Sequence, residues 1–126
     1  MFILSFHSLK TIHPLFVIFM KVLTDYLEKE GFKVERSYIL DTAFRATFGS
    51  DNGVNVCVIC EYDALPEIGH ACGHNLIAEV GIGAGIAIKA GLEALGGQTG
   101  KVCIILYIIC RTRNNLLLPA NSLNRN

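Results

Sequence analysis

The run Glu61-Tyr62-Asp63-Ala64-Leu65-Pro66-Glu67-Ile68-Gly69-His70-Ala71-Cys72-Gly73-His74-Asn75 gathers three carboxylates, two imidazoles and a thiol into one short stretch. No other part of the sequence is so rich in metal-binding and proton-transfer groups. A thiolate and an imidazole, as in Cys72-x-His74, are ligands for zinc and similar transition metals rather than for magnesium or calcium. Two ligands do not make a site, so at least one more donor must come from elsewhere. Glu61 and Asp63 are candidates, either as ligands or as partners that fix a histidine tautomer. Asp63 precedes Ala64-Leu65-Pro66, a stiff turn expected to aim its carboxylate inward. Each piece has a plain alternative: a buried cysteine beside a surface histidine, and ordinary surface charge at a strand end. Their combination, with His70 close by, favours metal chemistry.

These groups must be positioned by the elements around them. Val54–Cys60 is a nearly continuous apolar run bounded by turn residues, which predicts a strand buried on both faces. The acids begin at its carboxyl end, where ligands usually sit in open α/β sheets. Residues 75–95 read as a helix, with Asn75 as its N-cap and Gly96-Gly97 ending it. Val102–Cys110 reads as a second buried strand, and strand–helix–strand predicts a parallel crossover. Upstream, a helix is predicted over Met20–Lys29 and stopped by Gly31. Strands are predicted over Lys33–Leu40 and Ala43–Phe48, followed by a turn at Gly49–Gly53.

Other motifs dissolve on inspection. Cys57-x-x-Cys60 lies on a strand, where residues three apart point to opposite faces, so the sulfurs cannot converge. Gly81-Ile82-Gly83-Ala84-Gly85 has Ile86 where a dinucleotide fingerprint needs no such side chain, and it falls inside the helix rather than at its start. Small residues that let the helix lie close to the sheet explain it better. Cys72 as a nucleophile paired with His74 is hindered by their closeness on one tight turn.

Eleven basic and eleven acidic residues balance to zero net charge, against nucleic acid as a partner. The longest apolar run near the N-terminus, Leu15–Met20, is too short to span a bilayer, so no membrane is expected. Five cysteines, an odd number in an apolar chain, suit buried thiols in a reducing compartment such as the cytoplasm. Charged residues make up only 17% of the chain, against about 25% in ordinary globular domains, which suggests that partner surface is missing.

With its flanks, EYDALPEIGHACGHN resembles the signature of the aminoacylase-like dinuclear metallopeptidases and amidohydrolases, peptidase family M20. The resemblance is nearest to the branch of dipeptidases acting on β-alanyl-lysine and similar basic dipeptides. LEKEGFKVERSYILDTAFRA and NLIAEVGIGAGIAI look like the same branch, so the likeness runs from Val22 to about Leu106. It implies the N-terminal part of an α/β catalytic domain, a partial and mostly parallel sheet with flanking helices, over residues 21–110. A divergent apolar segment, 1–20, would precede it and an irregular polar tail, 111–126, would follow. The resemblance further implies two metal ions, zinc or manganese, an activated water, a glutamate general base, a small dipeptide substrate and a homo-oligomer in full-length members. Carried over residue by residue, Cys72 and His74 match metal ligands, Glu61 and Asp63 are the catalytic acids of the upstream motif, and His70 sits in the surrounding shell. In the family the general base belongs to a paired glutamate that would fall near Arg111 and Thr112. No acid follows Glu93 and no histidine follows His74 in this sequence. The expectation is therefore a truncated chain that is inactive alone. A non-catalytic isoform that pairs with full-length subunits, or a small structural metal domain, are the alternatives.

Overall fold

The structure, a computed structural model, describes residues 9–65, 68–108, 111–112 and 115–116. Expectations that fall on Pro66, Glu67, Cys110 and most of the polar tail lie outside the described residues. The order is α1 (Leu9–Lys29), β1 (Lys33–Arg36), β2 (Phe44–Gly49), β3 (Val54–Glu61), α2 (His74–Ala94), β4 (Gly100–Tyr107), then β5 (Arg111–Thr112) and β6 (Asn115–Leu116). The short β5 and β6 pair antiparallel inside the segment expected to be irregular.

The main sheet has the order β1-β2-β4-β3. The class is α/β, but the sheet is mixed and mostly antiparallel, which corrects the mostly parallel sheet expected. Two of its three pairings, β1 with β2 and β2 with β4, are antiparallel. The cause is connection length. Only a long crossover can join parallel strands, and among the described residues α2 is the one helix lying between two strands. It makes β3 and β4 parallel, with Val54 opposite Gly100 and Glu61 opposite Tyr107. The short turns on either side of β2 reverse the chain instead. β1 is shorter than predicted because Ser37 and Ile39 adopt positive φ, which breaks the extended backbone.

The expectation that β3 is buried on both faces is also corrected. It is an edge strand. Cys60 faces the core, while Ile59 is 61% exposed. β4 is an interior strand, as is β2, and Val102, Ile104 and Leu106 on its inner face are fully covered. They join Phe44, Ala46, Leu27 and Ile82 in one apolar cluster. Burying each of the larger side chains contributes about 1.5–3 kcal/mol.

Capping agrees with the sequence at two helix ends and departs at a third. Gly31 ends α1 in the left-handed conformation, with the Phe32 N–H bonded back to Leu27. Gly96 and Gly97 end α2 in the same way, and the Gly97 N–H reaches the Leu92 carbonyl at 2.7 Å. At the start of α2, however, the cap is Gly73, with φ 75° and no side-chain hydrogen bond, so Asn75 is not the N-cap. The helix therefore opens on His74 itself. By length and composition α2 could cross a membrane; here it lies on the sheet through Ala78, Gly81, Ile82 and Gly85.

Helix α1 is tied to the sheet by Arg36. Its guanidinium bonds Glu28 at 2.6 Å and Asp25 at 2.9 Å, and its Nε donates to the buried Thr24 hydroxyl at 3.0 Å. Arg36 holds the Glu28 carboxyl below its ordinary value by hydrogen bonding.

Tyr62, the residue after β3, is 5% exposed, stacks edge-on to Phe16 and donates its hydroxyl to the Thr42 carbonyl. Burial pushes its phenol well above the ordinary value of 10. A phenol raised on folding contributes stability that is present below pH 10 and lost as pH rises beyond it. Tyrosinate absorbance should show this phenol ionising only as the chain unfolds in alkali. Tyr62→Phe should remove that lag and cost about 1 kcal/mol at neutral pH.

Gly81 and Gly85 face the sheet so closely that a Cβ on either would collide, with Cys60 in the first case and Ile104 in the second; at Gly83 nothing lies within 4 Å. Gly85→Ala should destabilise by about 1–3 kcal/mol through overpacking. Gly83→Ala should stabilise by about 0.5–1 kcal/mol through helix propensity. Opposite shifts of the urea midpoint are the expected readout.

Candidate metal centre

The carboxyl end of β3 and the amino end of α2 meet at one corner of the fold. Glu61 is the last residue of β3, and His74 is the first of α2. Between them the chain makes a tight return, with the Leu65 and Gly69 backbones bonded to each other in both directions. That return brings Asp63 under the helix start.

His74 stands between two carboxylates. Its Nδ1 lies 2.8 Å from Asp63 Oδ1, and its Nε2 lies 3.4 Å from Glu61 Oε2. The first is a hydrogen bond in which the ring N–H donates to the carboxylate. One donor atom from each of Glu61, Asp63 and His74 falls within 4.8 Å of the other two. The side chains are 33%, 15% and 22% exposed, partly shielded yet open to a small ion. The positive end of α2 also faces these acids and moderates the cost of holding two carboxylates together.

A fourth residue completes the corner. The Tyr107 hydroxyl donates to Glu61 Oε1 at 3.2 Å. Burial first, then the hydrogen bond and charge of Glu61, raise the Tyr107 phenol above its ordinary value and keep it a donor. Tyr107 carries no sequence signal of its own. Its partnership with Glu61 follows from the parallel register of β3 and β4, which opposes the two residues.

Of the sequence candidates, the structure brings together Glu61, Asp63 and His74 and leaves two apart. Cys72 lies exposed on the turn before α2 and is outside the three-donor group. His70 lines an apolar cavity of about 400 Å³ between the two helices, with Tyr62, Phe19 and Ile82. Its Nδ1 is buried and has no hydrogen-bond partner among the described residues. Side chains near Arg111 and Thr112, where the family's paired glutamate would fall, are not described.

The donor set of two carboxylates and an imidazole fits a divalent transition metal such as zinc or manganese. The sequence is also similar to known proteins. The chain is 43% identical over 99 residues to a human Xaa-Arg dipeptidase and 40% identical over 94 residues to the mouse protein of the same name. These matches cover 68% and 67% of this chain. It is also 37% identical over 98 residues, 64% of the chain, to one of the subunits of the p-aminobenzoyl-glutamate hydrolase of Escherichia coli strain K12. No family model matches the chain. Over its aligned two thirds this chain belongs to the aminoacylase-like M20 amidohydrolase family. Within that family its homologues include Xaa-Arg dipeptidases, of which the chain spans 22% and 23% of the length.

The corner makes a direct prediction about binding. Calorimetric titration with zinc or manganese should show Asp63→Asn and His74→Ala abolishing measurable affinity. Tyr107→Phe should weaken it about 10-fold, as loss of a partner that orients a ligand does. Cys72→Ser should leave the affinity unchanged. A loss at Cys72 would mean that the turn folds inward around the ion.

Proposed function

We propose that this chain carries part of the metal centre of a dipeptidase-like amidohydrolase acting on the amide bond of small dipeptides with a basic residue. The observation that carries this reading is His74 held between Asp63 and Glu61 at the strand–helix corner. The names of its homologues support the substrate class. When bound, a divalent metal lowers the pKa of its water to about 7 and polarises a substrate carbonyl.

The chain's own residues do the positioning. Asp63, Glu61 and His74 would hold the ion, and Cys72, which the family resemblance also makes a ligand, would join only if its turn moved inward. Tyr107 fixes the orientation of the Glu61 carboxylate from the neighbouring strand. Hydrolysis also needs a proton acceptor that carries the water's proton to the leaving amine. Among the described residues Asp63 is hydrogen-bonded to His74 and Glu61 to Tyr107, and both are assigned to the ion, so neither is free for that shuttle. By itself the chain is therefore a binding half-site without turnover.

The purified chain, assayed with zinc or manganese on β-alanyl-lysine and on an Xaa-Arg dipeptide, should release no amino acid above the rate of its Asp63→Asn variant. Metal should still bind the unsubstituted chain. Turnover that exceeds the variant would overturn the half-site reading, and absence of metal binding would overturn the metal reading.

A further inference from the structure

The open face of the sheet carries a second reactive arrangement, independent of the metal reading. We propose that Cys57 and Cys103 form a reversible cross-strand disulfide, closed by exchange with an anionic low-molecular-weight disulfide of the glutathione type.

The two residues are opposite each other in the parallel register of β3 and β4. Paired strands lie about 4.8 Å apart, inside the Cα separation of about 4.4–6.8 Å that a disulfide needs. Both side chains project from the face that α1 and α2 do not cover, since their neighbours Cys60, Val102 and Ile104 fill the inner face. Cys57 is exposed and Cys103 half-buried, and both are free thiols. Burial raises the Cys103 thiol above its ordinary value, while Arg45 and Lys101 oppose that rise. This divides the roles: the accessible Cys57 attacks, and the sheltered Cys103 resolves.

The oxidant's class follows from the surroundings. Beside Cys103 is a polar cleft of about 360 Å³, where Arg45 pairs with Glu35 and Lys101 with Asp51, which leaves Lys33 as the excess cation. An excess of cations favours an anionic partner over a neutral one. In the first step the Cys57 thiolate attacks one sulfur of the small disulfide, forming a mixed disulfide and expelling one small thiolate. In the second the Cys103 thiolate attacks the Cys57 sulfur and expels the other. Two electrons pass from the protein to the small disulfide, and the two thiol protons end on the released thiols. The product ties edge strand β3 to interior strand β4, just upstream of Glu61.

The reduced, intact chain should be equilibrated without oxygen in glutathione buffers of rising disulfide content, quenched in acid and titrated for free thiol. With five cysteines in the sequence, the expected result is a fall from five thiols to three, with peptide fragmentation placing the link between Cys57 and Cys103. Cys103→Ser should stop at a glutathione adduct on Cys57, and Cys57→Ser should keep all its thiols. Should a variant fail to fold, alkylation of the unsubstituted chain with two successive reagents, before and after reduction, identifies the oxidised pair. A link that involves Cys60, Cys72 or Cys110, a link between chains, or a stable adduct on Cys57 in the unsubstituted chain would overturn the proposal.

Discussion

The approach of α2 to the sheet governs the rest of this structure. A helix normally stands off a sheet by the depth of two layers of side chains. Gly81 and Gly85 remove one of those layers, so Cys60 and Ile104 occupy the space where Cβ atoms would otherwise lie. The helix is thereby pinned along its length, and its first residue is fixed against the end of β3. Glycines in a helix interior cost about 0.5–1 kcal/mol each in propensity. Apolar burial of Ile82, Ile104 and Leu106 offsets that cost.

That packing also explains why the polar corner holds its shape. Two carboxylates this close repel each other unless something positive or hydrogen-bonding stands between them. Here the imidazole of His74 fills the gap, the dipole of α2 points at it, and Tyr107 satisfies the outer oxygen of Glu61. The anchor on the other side is Tyr62, whose ring is buried against Phe16 and whose hydroxyl reaches back to Thr42. Polar and apolar residues alternate along Glu61-Tyr62-Asp63, so one short segment serves the site and the core at once.

Much of this is legible in the sequence, and what is not has a physical cause. Apolar runs and glycine signals place α2 and β4 to within a few residues, and the opposite faces of Cys57 and Cys60 follow from strand geometry alone. Strand order does not follow. An apolar run such as Val54–Cys60 reads the same whether it is central or at an edge, because hydrophobicity records what a strand could bury and says nothing about which neighbours it has. Direction fails for a related reason: the one visible crossover does not extend to the whole sheet, and the short connections around Phe44–Gly49 force reversal. The corner is half legible. Glu61, Asp63 and His74 stand out by type and spacing, whereas Tyr107 can be found only through register. Cys72 matches by motif but lies outward, because Gly73 in the left-handed conformation turns the chain into the helix after it.

The position of β3 has one more consequence. Its outer rim of backbone N–H and C=O groups meets no other strand among the described residues, and Val54, Val56 and Ile59 are exposed along it. Such a rim is a template for strand addition. An extended peptide that zipped onto it would run alongside Val54–Glu61 and bring its main-chain amides within reach of the two carboxylates. The same ladder that completes the sheet would then set main-chain groups of its partner beside the polar corner.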